Sequence, residues 1–150
     1  MEKIDYKYIE NRKAKFNYYI IDTYIAGISL IGSEVKSLRN RQVDLSESYC
    51  IFNKSYELIL KNCYIYKYNN IVYTREENID RKLLLTKKEL KKLKKDVELP
   101  GYSIIPIAIM IPEHGFIKVK LALCKGKHTY DKRETIKKRD IERENRQYKL

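Results

Sequence analysis

The sequence predicts a mainly β fold: a small closed antiparallel barrel with two or three short peripheral helices and a basic C-terminal tail. Three observations support this prediction. The chain has 150 residues, which is the length of a single domain. Short β-branched and aromatic segments alternate with turn residues, a pattern typical of small barrels. Charged residues dominate the last part of the chain, where residues 125–150 hold ten Lys or Arg and five Asp or Glu.

Composition divides the chain into three parts. Residues 1–10 form a polar N-terminal arm, and residues 11–124 carry the apolar periodicity of the barrel. Residues 125–150 have too few apolar side chains to form a continuous stripe along a helix. We therefore expect this tail to be disordered when free and to become helical along a polyanionic surface.

The first elements of the barrel are two strands and a helix. Residues 16–21 and 24–31 are β-branched and aromatic, with a turn predicted between them at Asp22 and Thr23. A helix is predicted from Glu34 to Arg39. Ser33 is expected to be its N-cap and Asn40 its left-handed stop.

A hairpin and a loop follow. Residues 48–52 and 57–65 are predicted strands that flank a turn at residues 53–56, where Asn and Ser favour reversal of the chain. The stretch from Tyr64 to Asp80 has neither helical nor strand periodicity. We expect an extended, partly exposed loop there.

A capping box gives the most specific helix signal of the sequence. Thr86 and Glu89 have the spacing in which each side chain accepts a hydrogen bond from the other residue's backbone N–H. Leu90, Leu93 and Val97 then share one face, as in a helix packed on a core. The sequence predicts a helix that begins after Thr86.

Two strands complete the barrel. Residues 103–111 are apolar and contain Pro106, which cannot donate to a ladder and is therefore expected at an edge or a bulge. After a turn, residues 116–123 alternate, so Lys118 and Lys120 should share the face opposite to that of the apolar residues between them.

The charge of the chain points to a polyanionic partner. Lys and Arg number 32 against 20 Asp and Glu, which gives a net charge of +12 and a pI of about 9.5. No apolar run approaches the roughly 18 residues of a spanning helix, and the N-terminus lacks the apolar core of a signal peptide. We expect a cytoplasmic protein without a membrane partner. A nucleic acid or the ribosome explains the charge better than the alternative, a basic protein that binds no polyanion.

Catalytic and metal sites are not predicted. The sequence has no Gly-rich phosphate loop and no CxxC pair. Cys50, Cys63 and Cys124 are expected to be reduced and to be either core residues or half-buried. His114 and His128 could supply the base and acid of a metal-independent ribonuclease, but we interpret them as exposed loop residues. The prediction is therefore an RNA-binding protein without a cofactor. The alternatives are a general single-stranded-RNA-binding or ribosomal barrel and, less favoured, the ribonuclease.

Six short motifs in order resemble one known family. The motifs are Asn11-Arg-Lys-Ala14, Gly32-Ser-Glu-Val-Lys-Ser-Leu-Arg39, Arg81-Lys-Leu-Leu-Leu85, Lys118-Val-Lys120, Lys125-Gly-Lys127 and Asp131-Lys-Arg133. Together they look like SmpB, the family of bacterial SsrA-binding proteins, and the resemblance covers roughly residues 8–145.

This resemblance implies a fold and a function. The family has an OB-like barrel, is not enzymatic, and binds the tRNA-like domain of transfer-messenger RNA. It delivers that RNA to stalled ribosomes for peptide tagging and ribosome rescue, which is trans-translation. Its tail occupies the decoding centre of the small subunit and the empty mRNA channel. The resemblance also implies elongation factor Tu as a partner with the aminoacylated RNA, and a monomeric protein.

Residues are carried over from the family by motif. The implied RNA-binding residues are Asn11, Arg12, Lys13, Glu34, Lys36, Leu84, Lys118 and Lys120. The implied ribosome-binding residues of the tail are Lys125, Gly126, Lys127, Asp131, Lys132, Arg133, Lys137, Lys138, Arg139 and Ile141. For Leu84 the residues alone would favour core packing, whereas the resemblance implies an exposed contact. For Glu34 and Lys36, a capping or structural role is an equal alternative.

Two positions depart from the family pattern. Ile25 stands where the family commonly has an acidic residue that contacts RNA, so the local contact must differ. Ile141 stands where the family often has Trp, so an apolar anchor remains without stacking.

Overall fold

A computed structural model describes residues 6–67, 75–128, 132–133, 136–141 and 143 of the chain. Nine strands and three helices have defined bounds within these residues. In chain order they are β1 (Tyr6–Glu10), α1 (Arg12–Asn17), β2 (Tyr18–Ile28), α2 (Gly32–Arg39), β3 (Val43–Asp44), β4 (Tyr49–Phe52), β5 (Leu58–Lys61), β6 (Tyr64–Ile65), β7 (Arg81–Leu84), α3 (Lys87–Val97), β8 (Tyr102–Pro112) and β9 (Lys118–Gly126).

Six strands close into an antiparallel barrel, which confirms the predicted fold class. The order around the ring is β8, β4, β5, β7, β2 and β9, and β9 pairs again with β8. β1 joins β8 beyond the place where β4 pairs with it, with Tyr6 opposite Pro112 and Cys50 opposite Ile104. Part of the predicted polar arm is therefore an edge strand, and the sequence analysis did not predict it.

The predicted turn at Asp22 and Thr23 is wrong. β2 continues through both residues and pairs with β9 along its whole length, from Tyr18 opposite Gly126 to Gly27 opposite Lys118. The register of this ladder shifts between Ile20 and Asp22, so the strand has a β-bulge just before the residues that resembled a turn. Residues 16 and 17, predicted to begin a strand, instead end α1.

Helix α2 ends at Arg39 with Asn40 as its C-cap, as predicted, but its N-cap and its left-handed residue differ from the prediction. Ile31, not Ser33, is the N-cap, and its backbone N–H donates to the Glu34 carboxylate at 3.0 Å. Asn40 has a φ of −92°, whereas the left-handed residue is Arg41 with a φ of 59°. The side chain of Ser33 is buried within the first turn instead.

The second predicted strand of the β4–β5 hairpin is too long. β5 ends at Lys61, where the left-handed Asn62 breaks the extended backbone. β6 then pairs with β3 in a separate two-stranded sheet. The described residues 66–67 and 75–80 of the predicted loop contain neither helix nor strand, and residues 68–74 lie outside the described part of the chain.

The capping box and the proline bulge are confirmed. The Glu89 N–H donates to Thr86 Oγ1 at 3.2 Å, and the Thr86 N–H donates to the Glu89 carboxylate at 3.1 Å. Leu93 of α3 is fully buried in the core. The register of β8 on β9 shifts between Pro106 and Ala108, so the proline lies at a bulge inside the sheet.

Two apolar clusters form the core. The larger fills the barrel and includes residues from α2 and α3 at its ends. The smaller lies outside the barrel wall, beneath α1, and consists of Ala14, Ile105, Ile107, Ala122 and Cys124, with Tyr18 packed against it. Helix α1 therefore covers one half of the outer surface of β8 and β9 and leaves the other half open.

Beyond His128, the described residues of the tail are helical. Residues 132–133, 136–141 and 143 have helical backbone. Disorder of the free tail in solution stays a prediction. Within the described chain, every helix is too short or too polar to span a membrane.

Candidate nucleic-acid interface

The outer face of β9 carries the predicted pair of lysines. Ile117, Val119 and Leu121 are at most 5% exposed, and the side chains between them point outward. Lys118 and Lys120 are directly opposite Gly27 and Ile25 of β2. Because directly opposed residues share one face of a sheet, both lysines lie beside Ile25 on the open half of the wall.

Leu84 is exposed, as the family resemblance implied. It lies opposite Gly27 at the end of β7, and 52% of its surface is accessible. A Cβ on Gly27 would be 3.3 Å from Leu84 Cβ, so the glycine lets the leucine side chain lean over β2. The resulting hollow encloses about 360 Å³ and also involves Ile25 and Lys118.

Register places one continuous row of side chains across five strands. Tyr8 of β1 is opposite Met110, Met110 is opposite Lys118, and Lys118 is opposite Gly27, which is opposite Leu84. This row offers a cation to phosphates and apolar faces to unstacked bases. Those are the groups with which proteins bind single-stranded or irregular RNA.

Asn11 has a structural position. It is 3% exposed, and its amide nitrogen donates to Leu45 O at 3.1 Å and to Pro106 O at 2.9 Å. Its side-chain oxygen accepts from the Ala14 N–H and caps α1. The structure thus shows Asn11 fastening α1 to the barrel, which orients the next residue, Arg12.

The two basic residues that follow Asn11 are exposed. Lys13 forms an ion pair with Glu47, whereas Arg12 forms no ion pair with any residue of the described chain. Lys13 also borders a groove of about 530 Å³ between α1 and β4. Arg12 borders a different hollow, together with Tyr8 and Arg41.

Glu34 is buried rather than exposed to a ligand. Arg81, with no exposed side-chain surface, donates from Nε to Glu34 at 2.8 Å, and Arg75 Nε donates at 3.0 Å. Burial alone would raise the pKa of the Glu34 carboxyl. Hydrogen bonds from Arg75, the Ile31 backbone and Arg81 outweigh it and hold that pKa below its usual value. Glu34 therefore has the structural role that was the alternative to RNA contact. Lys36, also on α2, is exposed.

Arg81 is bonded on every side. Besides Glu34, its guanidinium donates to the backbone oxygens of Cys63 at 2.8 Å, Glu77 at 2.9 Å and Ile79 at 3.2 Å. In the sequence, Arg81 stands out only as the first residue of the Arg81–Leu85 motif. Its pairing with a residue 47 positions away leaves no local sequence signal.

The tail begins on the opposite end of β9 from the Leu84 hollow. Lys125 and Gly126 close the β2–β9 ladder, and Lys127 Nζ lies 5.0 Å from the ring centre of Tyr19. The remaining predicted tail residues within the described chain have helical backbone: Lys132, Arg133, Lys137, Lys138, Arg139 and Ile141. Asp131 lies outside the described residues.

Among the described residues of the helical part of the tail, Arg139 contacts α1. The Arg139 guanidinium carbon lies 5.5 Å from the ring centre of Phe16, at the end of α1. Ile141 is 57% exposed and so remains available as an apolar anchor.

The two histidines are exposed and lie at opposite ends of β9. His114 is in the turn before Lys118 and His128 follows Gly126, so the strand separates them by on the order of 25 Å. They cannot act together as a base and an acid. Within the described residues, no group of three His, Cys, Asp or Glu side chains could hold a metal ion.

The three cysteines are free, as predicted, and all three are buried. Burial raises the pKa of Cys63 to about 11 and that of Cys124 to about 12, and it raises the pKa of Cys50 further. At neutral pH all three are therefore protonated thiols with low nucleophilicity.

Sequence reasoning missed two exposed aromatic residues near the open face. Tyr8 was assigned to the polar arm, because a five-residue strand at the terminus gives a weak periodic signal. Phe116, 89% exposed, precedes Ile117 in the β8–β9 turn. Alternation with the buried Ile117 could have indicated that Phe116 points outward.

Comparison with known proteins identifies the family. The model of the SmpB protein family matches residues 8–149. The SsrA-binding protein of Ehrlichia canis is 47% identical over 91% of this chain and 92% of its own length, and that of Christiangramia forsetii is 44% identical over 90% and 86%. A solved structure described as "tmRNA-SmpB: a journey to the center of the bacterial ribosome" has a TM-score of 0.68 and 41% identity, covering 86% of this chain and 94% of that one. The sequence motifs, the barrel and these matches agree, and the chain belongs to the SmpB family of SsrA-binding proteins.

Proposed function

We propose that this protein binds the tRNA-like domain of transfer-messenger RNA and delivers it to stalled ribosomes in the cytoplasm. Its relatives are named SsrA-binding proteins, and the matched solved structure is described as tmRNA with SmpB in the bacterial ribosome. In this role the protein is a non-enzymatic adaptor of trans-translation that needs no cofactor. The protein itself supplies a binding surface.

The observation that carries the proposal is the exposed position of Leu84 beside Lys118. A leucine at a strand end normally packs inward, yet here it leans over Gly27 toward solvent. Lys118, directly opposite Gly27, adds a cation to the same hollow. Leu84 offers an apolar contact to a base, and Lys118 beside it can bind a phosphate. This combination suits an irregular RNA loop better than a regular duplex.

Ile25 defines how this chain differs at the same hollow. It is 42% exposed and lies opposite Lys120, so an apolar side chain adjoins the cation. We propose that Ile25 contacts the RNA through van der Waals packing. A carboxylate at this position would instead accept hydrogen bonds from a base or ribose.

The tail serves the second partner in this proposal. Its basic residues would follow the rRNA of the decoding centre and the empty mRNA channel, with the helical residues 136–141 as the part that enters the channel. This division assigns the open face of the barrel to the transfer-messenger RNA and the tail to the ribosome. Ile141 would supply the apolar anchor of that segment.

RNA binding tests the first half of the proposal. The full chain should bind its tRNA-like domain more tightly than an unrelated hairpin or poly-U, and Lys118→Ala should weaken binding. The slope of log K against log salt should become shallower by about 0.7–0.9, the loss of one phosphate contact. Lys54→Ala, in the exposed turn of the β4–β5 hairpin, is the matched control and should leave the slope unchanged.

Two results would reject the proposal. Equal affinity for poly-U and for the tRNA-like domain would favour a general single-stranded-RNA-binding protein. Cleavage of labelled RNA that depends on His114 or His128 would revive the ribonuclease alternative. Removal of residues 131–150 tests the division of roles, because it should preserve RNA binding and abolish peptide tagging on stalled ribosomes.

A further inference from the structure

A second hollow lies at the far end of the Tyr8–Leu84 row. It encloses about 350 Å³ and is lined by Tyr8, Ile9, Glu10, Arg12 and Arg41. Within the described chain, β1 pairs with β8 alone, so this hollow opens along the free edge of an edge strand. Two guanidinium groups and one aromatic ring are thus close together at a solvent-exposed site.

Arg41 occupies a backbone position that favours glycine. The Arg41 N–H donates to Leu38 O at 3.0 Å and the Gln42 N–H donates to Ser37 O at 2.9 Å, which is the Schellman pattern of a helix end. The residue that turns the chain in this motif is left-handed, and Arg41 has a φ of 59°. A long basic side chain at such a position carries backbone strain that glycine would relieve.

The guanidinium of Arg41 is held in place at the hollow. Its Nη2 donates to the backbone oxygen of Tyr8 at 3.0 Å, on the free edge of β1. Arginine has five N–H donors, so the group is oriented by one bond and keeps others for a ligand. Arg12 faces the same hollow without an ion-pair partner among the described residues. The carboxylate among the lining residues, Glu10, pairs with Lys15 at 3.4 Å.

Tyr8 joins this hollow to the open face of the barrel. Its side chain is 47% exposed and lies beside Met110, which is opposite Lys118. The ring of Tyr6 is 6.5 Å away and tilted by 54°, which limits the movement of the Tyr8 ring. A nucleic acid that follows the row from Leu84 across Lys118 therefore reaches Tyr8 next.

We infer that the Tyr8–Arg12–Arg41 hollow binds one nucleotide of the RNA partner, with its phosphate between the two guanidinium groups and its base stacked on Tyr8. Paired guanidinium groups suit a phosphate because each can donate two parallel hydrogen bonds. A tyrosine ring stacks on any base, so this subsite adds affinity without sequence preference. The inference rests on the proposed function and extends its interface to β1 and the end of α2.

Arg41→Gly is the first test, because glycine suits the left-handed backbone. The melting temperature of the full chain should stay the same or rise. Binding to the tRNA-like domain should weaken, and the slope of log K against log salt should become shallower by about 0.7–0.9. Arg41→Gln keeps a donor for the Tyr8 oxygen and removes only the charge, so it should give the same change in slope. Lys54→Gln is the matched control on the β4–β5 turn and should change neither quantity.

Tyr8 is tested by a pair of substitutions in the same full-length protein. Tyr8→Leu keeps an apolar side chain on β1 but removes the stacking ring, and it should lower RNA affinity about five-fold or more at an unchanged salt slope. Tyr8→Phe keeps the ring and should retain near-normal affinity. Loss of affinity in both variants would assign the effect to the hydroxyl and overturn the stacking arrangement.

The outcomes separate this inference from the proposed function. If the wild-type chain binds the tRNA-like domain no better than an unrelated hairpin, the proposed function fails and the inference falls with it. If the wild-type chain binds and Lys118→Ala weakens binding, but the Arg41 variants keep the wild-type slope and Tyr8→Leu keeps the wild-type affinity, the second hollow alone is rejected.

Discussion

Replacing Arg81 with Met should destabilise the barrel severely, because Met keeps the apolar stem of the buried side chain but removes its guanidinium group. Arg81 is fully buried and provides a charge to Glu34 and three hydrogen bonds to backbone oxygens. Breaking a buried ion pair by removing one partner costs about 3–5 kcal/mol. Because Arg75 still donates a hydrogen bond to Glu34 in the variant, we expect a loss of unfolding free energy at the low end of this range, about 3 kcal/mol.

Chemical denaturation measures this effect. The free energy of unfolding of a domain of this size is about 5–15 kcal/mol. The variant should therefore stay folded in dilute buffer but lose a large part of its stability. With a urea dependence of about 2 kcal/mol per molar, the unfolding midpoint should fall by roughly 1.5 M. Lys82→Met is the matched control: it removes a cation from the next position of β7, where Lys82 pairs with Glu57 at the surface.

The comparison of these two variants tests whether the buried ion pair of Arg81 and Glu34 stabilises the fold. Lys82→Met should unfold near the wild-type midpoint, because a solvent-exposed pair contributes little. A midpoint for Arg81→Met that equals that of Lys82→Met would refute the claim that the buried pair stabilises the fold. The combined variant with Glu34→Gln should be less destabilised than the sum of the two single changes, since the pair is lost only once.

Three further predictions concern local features. Thr86→Ala should lower the free energy of unfolding by about 0.5–2 kcal/mol through loss of the α3 cap, and no change in the urea midpoint would mean that the cap is dispensable. The pKa of Glu34 is lowered from 4.5 in the folded state, so its contribution is full above pH 4.5 and is lost as pH falls through the lower folded value. The difference in urea midpoint between wild type and Glu34→Gln should accordingly narrow in acid, and a constant difference would contradict the pairing. A thiol reagent at pH 8 should leave Cys50, Cys63 and Cys124 unmodified in the native protein and react with all three in urea; rapid native reaction would show that they are accessible.

Local signals predicted the elements that depend on neighbouring residues. The Thr86 capping box located α3, and alternation on β9 placed Lys118 and Lys120 on the outer face. Pro106 was expected at an edge or a bulge because it has no N–H to donate, and it lies at a bulge. Each of these features is decided within a few residues, so the sequence alone was sufficient.

Long-range pairing decided the elements that the sequence misassigned. Asp22 and Thr23 have turn propensity, yet the ladder to β9 holds them in a strand, because strand conformation depends on its partner. Helix α2 ends at Asn40 as predicted, but the left-handed conformation expected there lies one residue later, at Arg41. The Schellman bonds require the left-handed residue at that position, and they override the higher left-handed tendency of asparagine.

The position of Leu84 follows from the buried ion pair rather than from hydrophobicity. Along β7 the two faces of the strand are equally mixed: Arg81 and Leu83 share one, Lys82 and Leu84 the other. Apolar patterning therefore cannot choose which face enters the core. Glu34 on α2 makes the choice, because its buried carboxylate requires Arg81 to point toward it. Leu84, three positions along, must then point outward over Gly27, where it meets the proposed RNA partner. The buried charge of Arg81 thus determines that the apolar Leu84 is exposed. Because this pairing leaves no local sequence signal, only the family resemblance could predict the exposed leucine.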